Sequence, residues 1–162
     1  MPPPIRVELL PHDPSWAGLA RDEAASLHAA LGDALVAVHH VGSTAIAGIH
    51  AKPILDLMPV VRGLRALDAR RYCSKDDPGT GRRLVQLHAY AEGAHDVARH
   101  LAFRDFLRRH PGLAAQYDRE ERRCQRLHPL DSHAYGHCKG AWIGKVEARA
   151  LAAVAAVSPS ME

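Results

Sequence analysis

The sequence predicts an α/β (α+β) fold, a small mixed β-sheet flanked by helices. Two β-rich runs, at 35–41 and 54–61, are separated by glycine-bearing turns, and helical periodicities recur over 14–31, 95–127 and 140–157. Apolar residues make up 47% of the 162 residues and charged residues 24%, the balance of a chain that buries its own core. The whole of 1–162 reads as a single domain.

Residues 5–10 read as a first strand. Asp13 and Pro14 then read as a helix start, because an Asp side chain accepts from free N–H groups at the N-cap and proline at the first helical position gives up no hydrogen bond. Trp16, Leu19, Ala20, Leu27, Ala30 and Leu31 recur at helical spacing, and Gly32 ends the helix. Gly42, Ser43 and Thr44 break the strand at 35–41. The strand at 54–61 is apolar except for Asp56, as a central strand covered on both faces would be. Asp, Pro, Gly and Thr over 76–83 mark a loop, and 84–90 a third strand. Helices over 95–109 and 112–127 are parted at Pro111. In the second, Leu113, Tyr117, Glu120, Cys124 and Leu127 form one packing stripe interrupted by a glutamate. A last helix is expected over 140–157, with Ile143, Val146, Ala150, Val154 and Val157 inward.

The net charge of +3 suits an anionic ligand and falls short of what a nucleic-acid partner requires. No apolar run approaches the ~20 residues of a membrane span, and the N-terminus lacks the apolar stretch of a signal peptide, so the expected compartment is the cytoplasm. The three cysteines have no CxxC spacing and predict neither a disulfide framework nor a zinc ribbon. His133 and His137 stand four apart beside Cys138, but Gly136 and the 129–131 turn argue against a regular helix there. No ordered set of four ligands appears.

The chemistry lies between His40 and Pro59. A strand runs into Gly42 and Ser43, a short turn follows, and the next strand carries Asp56. Glycine lets backbone approach a phosphate, and the N–H groups after Ser43 and Thr44 form an anion site if a helix starts there. An ionised Asp56 in an apolar strand needs a partner, which Mg²⁺ or Lys52 supplies. Alternation puts Asp56 and Met58 on one face, and Gln86 and His88 on one face of the third strand.

These residues resemble the GrpB family of the nucleotidyltransferase-like superfamily. The HxGSTxxxG run is matched by His40, Gly42, Ser43, Thr44 and Gly48, and AKPxxD by Ala51, Lys52, Pro53 and Asp56. His88 on its strand, the run from Arg99 to Pro111, Tyr117, and the stretch from Lys139 to Ile143 match the family's later motifs. The resemblance implies that Gly42, Ser43, Thr44, Lys52 and Arg104 bind a nucleotide or other phosphate, that Asp56 binds metal and is the catalytic carboxylate, and that His40 and His88 line the site.

Two departures matter. Met58 stands where the superfamily's second carboxylate belongs, so Mg²⁺ binding is expected to be weak, and an Asp installed at 58 is expected to strengthen it. The stretch 65–81 is compressed, so a strand and part of the pocket wall are expected to be shortened or lost. The expected role is a nucleotide- or phosphate-binding protein with weak or absent nucleotidyl transfer. An active metal-dependent nucleotidyltransferase using a nucleoside triphosphate stays open as an alternative. So does a non-catalytic accessory of dephospho-CoA kinase, a partner that the resemblance implies.

Overall fold

The computed structural model describes residues 3–63 and 70–157. Helix α1 spans Ser15–Leu31 and strand β1 Leu35–Val41, followed by β2 (Leu55–Val61), β3 (Arg70–Asp76) and β4 (Arg83–Ala91). Helices α2 (His95–Arg109), α3 (Pro111–Leu127) and α4 (Ser132–Val157) complete the order. The sheet runs β1-β2-β4-β3, with β2 parallel to β4 and the outer pairs antiparallel.

The apolar strand β2 is central. Its Leu55 and Leu57 face α1, packing with Trp16, Ala20 and Val85. On the opposite face Met58 packs with Val41 and Tyr90 under α2. Helices α2, α3 and α4 form a second core of their own around Phe106, Leu113, Tyr117, Val146 and Ala150, into which Ile46 and Ile49 insert. The turn between β1 and β2 is therefore held between the sheet and the helical layer.

Several expectations are corrected. Residues 5–10 are not a strand of the sheet. They strap the α3–α4 turn, with Val7 N–H donating to Pro129 O and Ser132 N–H to Ile5 O at 2.9 and 3.0 Å, and Leu10 forms a lone bridge to Ala51. Helix α1 starts one residue later than expected, because Asp13 Oδ1 accepts from Ser15 N–H at 2.8 Å. Leu19 and Leu31 are exposed, which narrows the buried stripe of α1 to Trp16 and Ala20. The compressed stretch holds a strand after all, β3, although 64–69 lie outside the described residues. The loop at 76–83 is a tight hairpin turn, where Asp77 Oδ1 accepts from the N–H groups of Gly79 and Thr80 at 3.0 and 2.7 Å.

Helix α4 begins eight residues before the expected start. Asp131 Oδ1 caps it by accepting from His133 and Ala134 N–H at 2.9 and 3.0 Å, and this cap overrides the weak propensity of Gly136 and Gly140. Val154 and Val157 near its far end are exposed rather than inward. Asp105 on α2 pairs with Arg104 and Arg108.

The cysteines also depart from expectation. Cys124 on α3 and Cys138 on α4 are joined by a disulfide, with Cα atoms 5.8 Å apart. Helix packing sets this pairing, which no sequence spacing signals. Cys73 is free and exposed.

Candidate functional site

Strand β1 ends at Gly42, whose φ of +72° only glycine adopts readily. The chain then winds through a single 3-10 turn at Ser43–Ala45. Gly42 also meets a second demand. A Cβ built there would lie 2.6 Å from Asp56 Oδ2, so the carboxylate of Asp56 rests directly on the glycine backbone.

Helix α2 secures the turn from behind. Arg104 Nη1 donates to His40 O at 3.1 Å, and Arg108 Nε donates to Ala45 O at 2.8 Å. The His40 ring contacts Thr44 Oγ1 through Nε2 at 2.8 Å. Burial, reinforced by Arg108, pushes His40 down to about 4, so its ring is neutral near pH 7.

In front of the turn is a polar cavity of about 110 Å³, walled by Ser43, Thr44, Lys52, Asp56, Glu121 and Lys139 among others. The structure thus brings Gly42, Ser43, Thr44, Lys52 and Asp56 together at one end of the sheet. Neither His40 nor Arg104 is among the lining residues. The Arg104 guanidinium instead donates to the backbone carbonyl of His40 near the end of β1. His88 lies beside the cavity, its Nε2 3.3 Å from Asp56 Oδ1 and its ring tilted against Tyr72.

The residue that sequence reasoning missed is Glu121, only 1% exposed. Its Oε1 accepts from Ser43 Oγ at 2.5 Å, from Lys139 Nζ at 2.8 Å and from Tyr135 OH at 3.2 Å. Its Oε2 is buried and has no hydrogen-bond partner among the described residues. Lys139 also donates to Tyr117 OH at 3.2 Å and sits 4.4 Å from the Tyr135 ring centroid. Burial alone would lower the pKa of Lys139, but Tyr117, Glu121 and Tyr135 outweigh it and hold the ammonium firmly charged. Burial and the negative charge of Glu121 push Tyr117 up to about 12.

Lys52 is placed differently. Among the described residues its ammonium makes no ion pair, only a distant contact with the Tyr135 ring at 5.7 Å. The alternative in which Lys52 pairs with Asp56 is therefore not the arrangement seen. Burial lowers its pKa, with Lys139 and Arg83 pushing the same way and Asp56 and Glu121 opposing. The side chain also borders an open groove of about 990 Å³ between β3, β4 and the start of α4. Among the described residues that groove is lined by Arg83, His88, His133 and His137, with no carboxylate in its lining.

These donors do not suit a pair of Mg²⁺ ions. Glu121 Oε1 is already occupied by three donors, and two ammonium groups share the cavity with the two carboxylates. Met58, fully buried in an apolar cluster, is remote from any ligand role, so an Asp there would enter the core rather than the site. Among the described residues the trio close enough to hold a metal is Glu120, Cys124 and Cys138, outside the cavity and without His133 or His137. No helix among the described residues is long and apolar enough to cross a membrane.

The profile described as GrpB protein matches residues 6–71 and 63–149. The chain is 33% identical to UPF0157 protein YqkA of Bacillus subtilis, over 91% of this chain and 48% of that one, so it spans about half that relative's length. It is 32% identical to UPF0157 protein SCO7215 of Streptomyces coelicolor, over 94% of this chain and 88% of the other. The crystal structure of conserved protein GrpB from Enterococcus faecalis superposes with a TM-score of 0.81 at 28% identity, covering 91% of this chain and 99% of that one. With a family profile matched over most of its length and a fold shared with a solved relative, the chain belongs to the GrpB family.

Proposed function

We propose that the cavity and the groove beside it bind a phosphorylated small molecule, a nucleotide by analogy with the nucleotidyltransferase-like fold, and that the protein carries out little or no nucleotidyl transfer. The observation that carries this reading is Lys52. A desolvated ammonium that has no ion-pair partner among the described residues, at the junction of a polar cavity and a groove whose described lining holds no carboxylate, is arranged to receive an anion. The Gly42-Ser43 turn lies on the same cavity wall and offers backbone close to a phosphate.

The weak-transfer part of the reading rests on the carboxylates. Two-metal phosphoryl chemistry stabilises the attacking and leaving oxygens between cations held by several acids. Here Asp56 stands with His88, and Glu121 is committed to Ser43, Tyr135 and Lys139. Mg²⁺ on Asp56 alone is held loosely.

The test is a thermal-shift screen with inorganic phosphate and each nucleoside triphosphate, with and without Mg²⁺, on the wild type and Lys52→Ala. A shift of the wild type that Lys52→Ala abolishes supports the reading, because ligand binding raises apparent stability by mass action. A flat screen overturns it and leaves the accessory role beside dephospho-CoA kinase. Label transfer from a nucleoside triphosphate that Asp56→Ala abolishes would establish an active transferase instead.

A further inference from the structure

The disulfide between α3 and α4 stands in a specific relation to the cavity. Cys124 lies one helical turn after Glu121, and Cys138 immediately precedes Lys139. Cys124 and Cys138 pack with Tyr135, whose hydroxyl donates to Glu121. The bond therefore ties together the two helices that supply the buried ion pair, at the level of that pair.

Its surroundings favour exchange. Cys124 is fully buried, whereas Cys138 is only partly buried. Arg123 Nη2 lies 3.6 Å from Cys124 Sγ and 3.5 Å from Cys138 Sγ. A cation so close to both sulfurs stabilises the thiolate that leaves when the bond is opened. Glu120, which pairs with Arg123 at 2.7 Å and lies 3.7 Å from Cys124 Sγ, opposes this in part. The same arginine disfavours a metal ion among Glu120, Cys124 and Cys138, since a fixed positive charge lies against both sulfurs.

We propose that Cys124–Cys138 is a thiol–disulfide exchange site, opened by dithiol reductants, and that its state sets how Glu121 and Lys139 are held at the cavity. The thiolate of the reductant attacks Cys138 Sγ, the S–S bond breaks, and the electron pair leaves with Cys124 Sγ beside Arg123. The second thiol of the reductant then attacks the mixed disulfide and releases Cys138. Two electrons and two protons pass to the protein, and the reductant closes into its own disulfide. The site is independent of what the cavity binds.

Trp142 reports on it. Its ring stacks on Tyr117 at 5.1 Å between centroids, and Tyr117 accepts from Lys139. The experiment titrates Trp16→Phe protein, in which Trp142 is the remaining tryptophan, through graded ratios of reduced to oxidised dithiothreitol without denaturant, with thiols trapped by alkylation. The expected result is a rise from one labelled cysteine, Cys73, to three, with a parallel and reversible change in Trp142 fluorescence. Arg123→Gln should slow reduction several-fold. Cys138→Ser, at the less buried position, should show the reduced-state fluorescence and no response to the couple. Labelling confined to Cys73 throughout would make the bond a static cross-link and overturn the proposal. Opening without any change at Trp142 would overturn the coupling, and stoichiometric Zn²⁺ uptake by the reduced pair would make it a metal site.

Discussion

The hydroxyl of Ser43 donates to Oε1 of Glu121 across 2.5 Å, joining residues 78 apart in sequence. Through this bond the turn after β1 is tied to α3, and through Lys139 to α4. Removing the charge at one end leaves a buried ammonium unmatched. Glu121→Gln should cost about 3 kcal/mol or more in urea unfolding, as breaking one side of a buried pair does. The double variant Glu121→Leu with Lys139→Met should recover most of the loss, and a double-mutant cycle measures the coupling.

Gly42→Ala should be more damaging than Gly48→Ala. Both glycines have positive φ, +72° and +82°, so both replacements are strained. A Cβ at Gly48 meets open space, whereas one at Gly42 meets the Asp56 carboxylate. The difference in unfolding free energy isolates that clash, and any phosphate-induced thermal shift should be lost only in Gly42→Ala.

Met58→Asp should destabilise the fold and gain no Mg²⁺ affinity. Met58 is completely buried with Val41 and Tyr90. A carboxylate there loses the packing that Met→Ala changes already sacrifice at about 2–5 kcal/mol, and is desolvated as well. A lowered Tm together with a flat Mg²⁺ titration by calorimetry is the expected pair of results.

Acidification should weaken the protein over a defined window. Burial and Arg108 hold His40 at about 4 in the fold, against 6.5 for the free side chain. Between those values the unfolded chain binds a proton that the folded one does not, so stability falls as pH drops from about 6.5 toward 4 and is unaffected by this group above that range. His39, lowered by burial and by Arg104, acts in the same direction. Urea unfolding across this range should show the fall, and His40→Gln should flatten part of it.

Much of this architecture was legible because it is written in local signals. The bounds of β1 and α2, and the break at Gly42, follow from β-rich runs and helical periodicity within single segments. Glu121 escaped because the stripe from Tyr117 to Cys124 passes equally well through position 120 or 121, and the choice depends on Lys139 from another helix. Strand β3 escaped because its Arg-Arg-Tyr-Cys-Ser-Lys-Asp run has no apolar alternation, and it is an edge strand whose sheet pairing is with β4. Lys52 and Asp56 were readable as a pair of residue types, but their failure to form an ion pair is a matter of tertiary placement.

The long reach between Ser43 and Glu121 also has a kinetic side. The cavity needs the turn after β1 and two helices that follow the entire sheet in the chain, so its walls span the sequence from Gly42 to Lys139 and no short fragment contains them. Closing such distant contacts comes late, after the local hairpins and helices have formed. A molecule lodged in the cavity therefore acts on the native side of the folding barrier. It retards unfolding and leaves the rate of folding as it was, lengthening the lifetime of the native state.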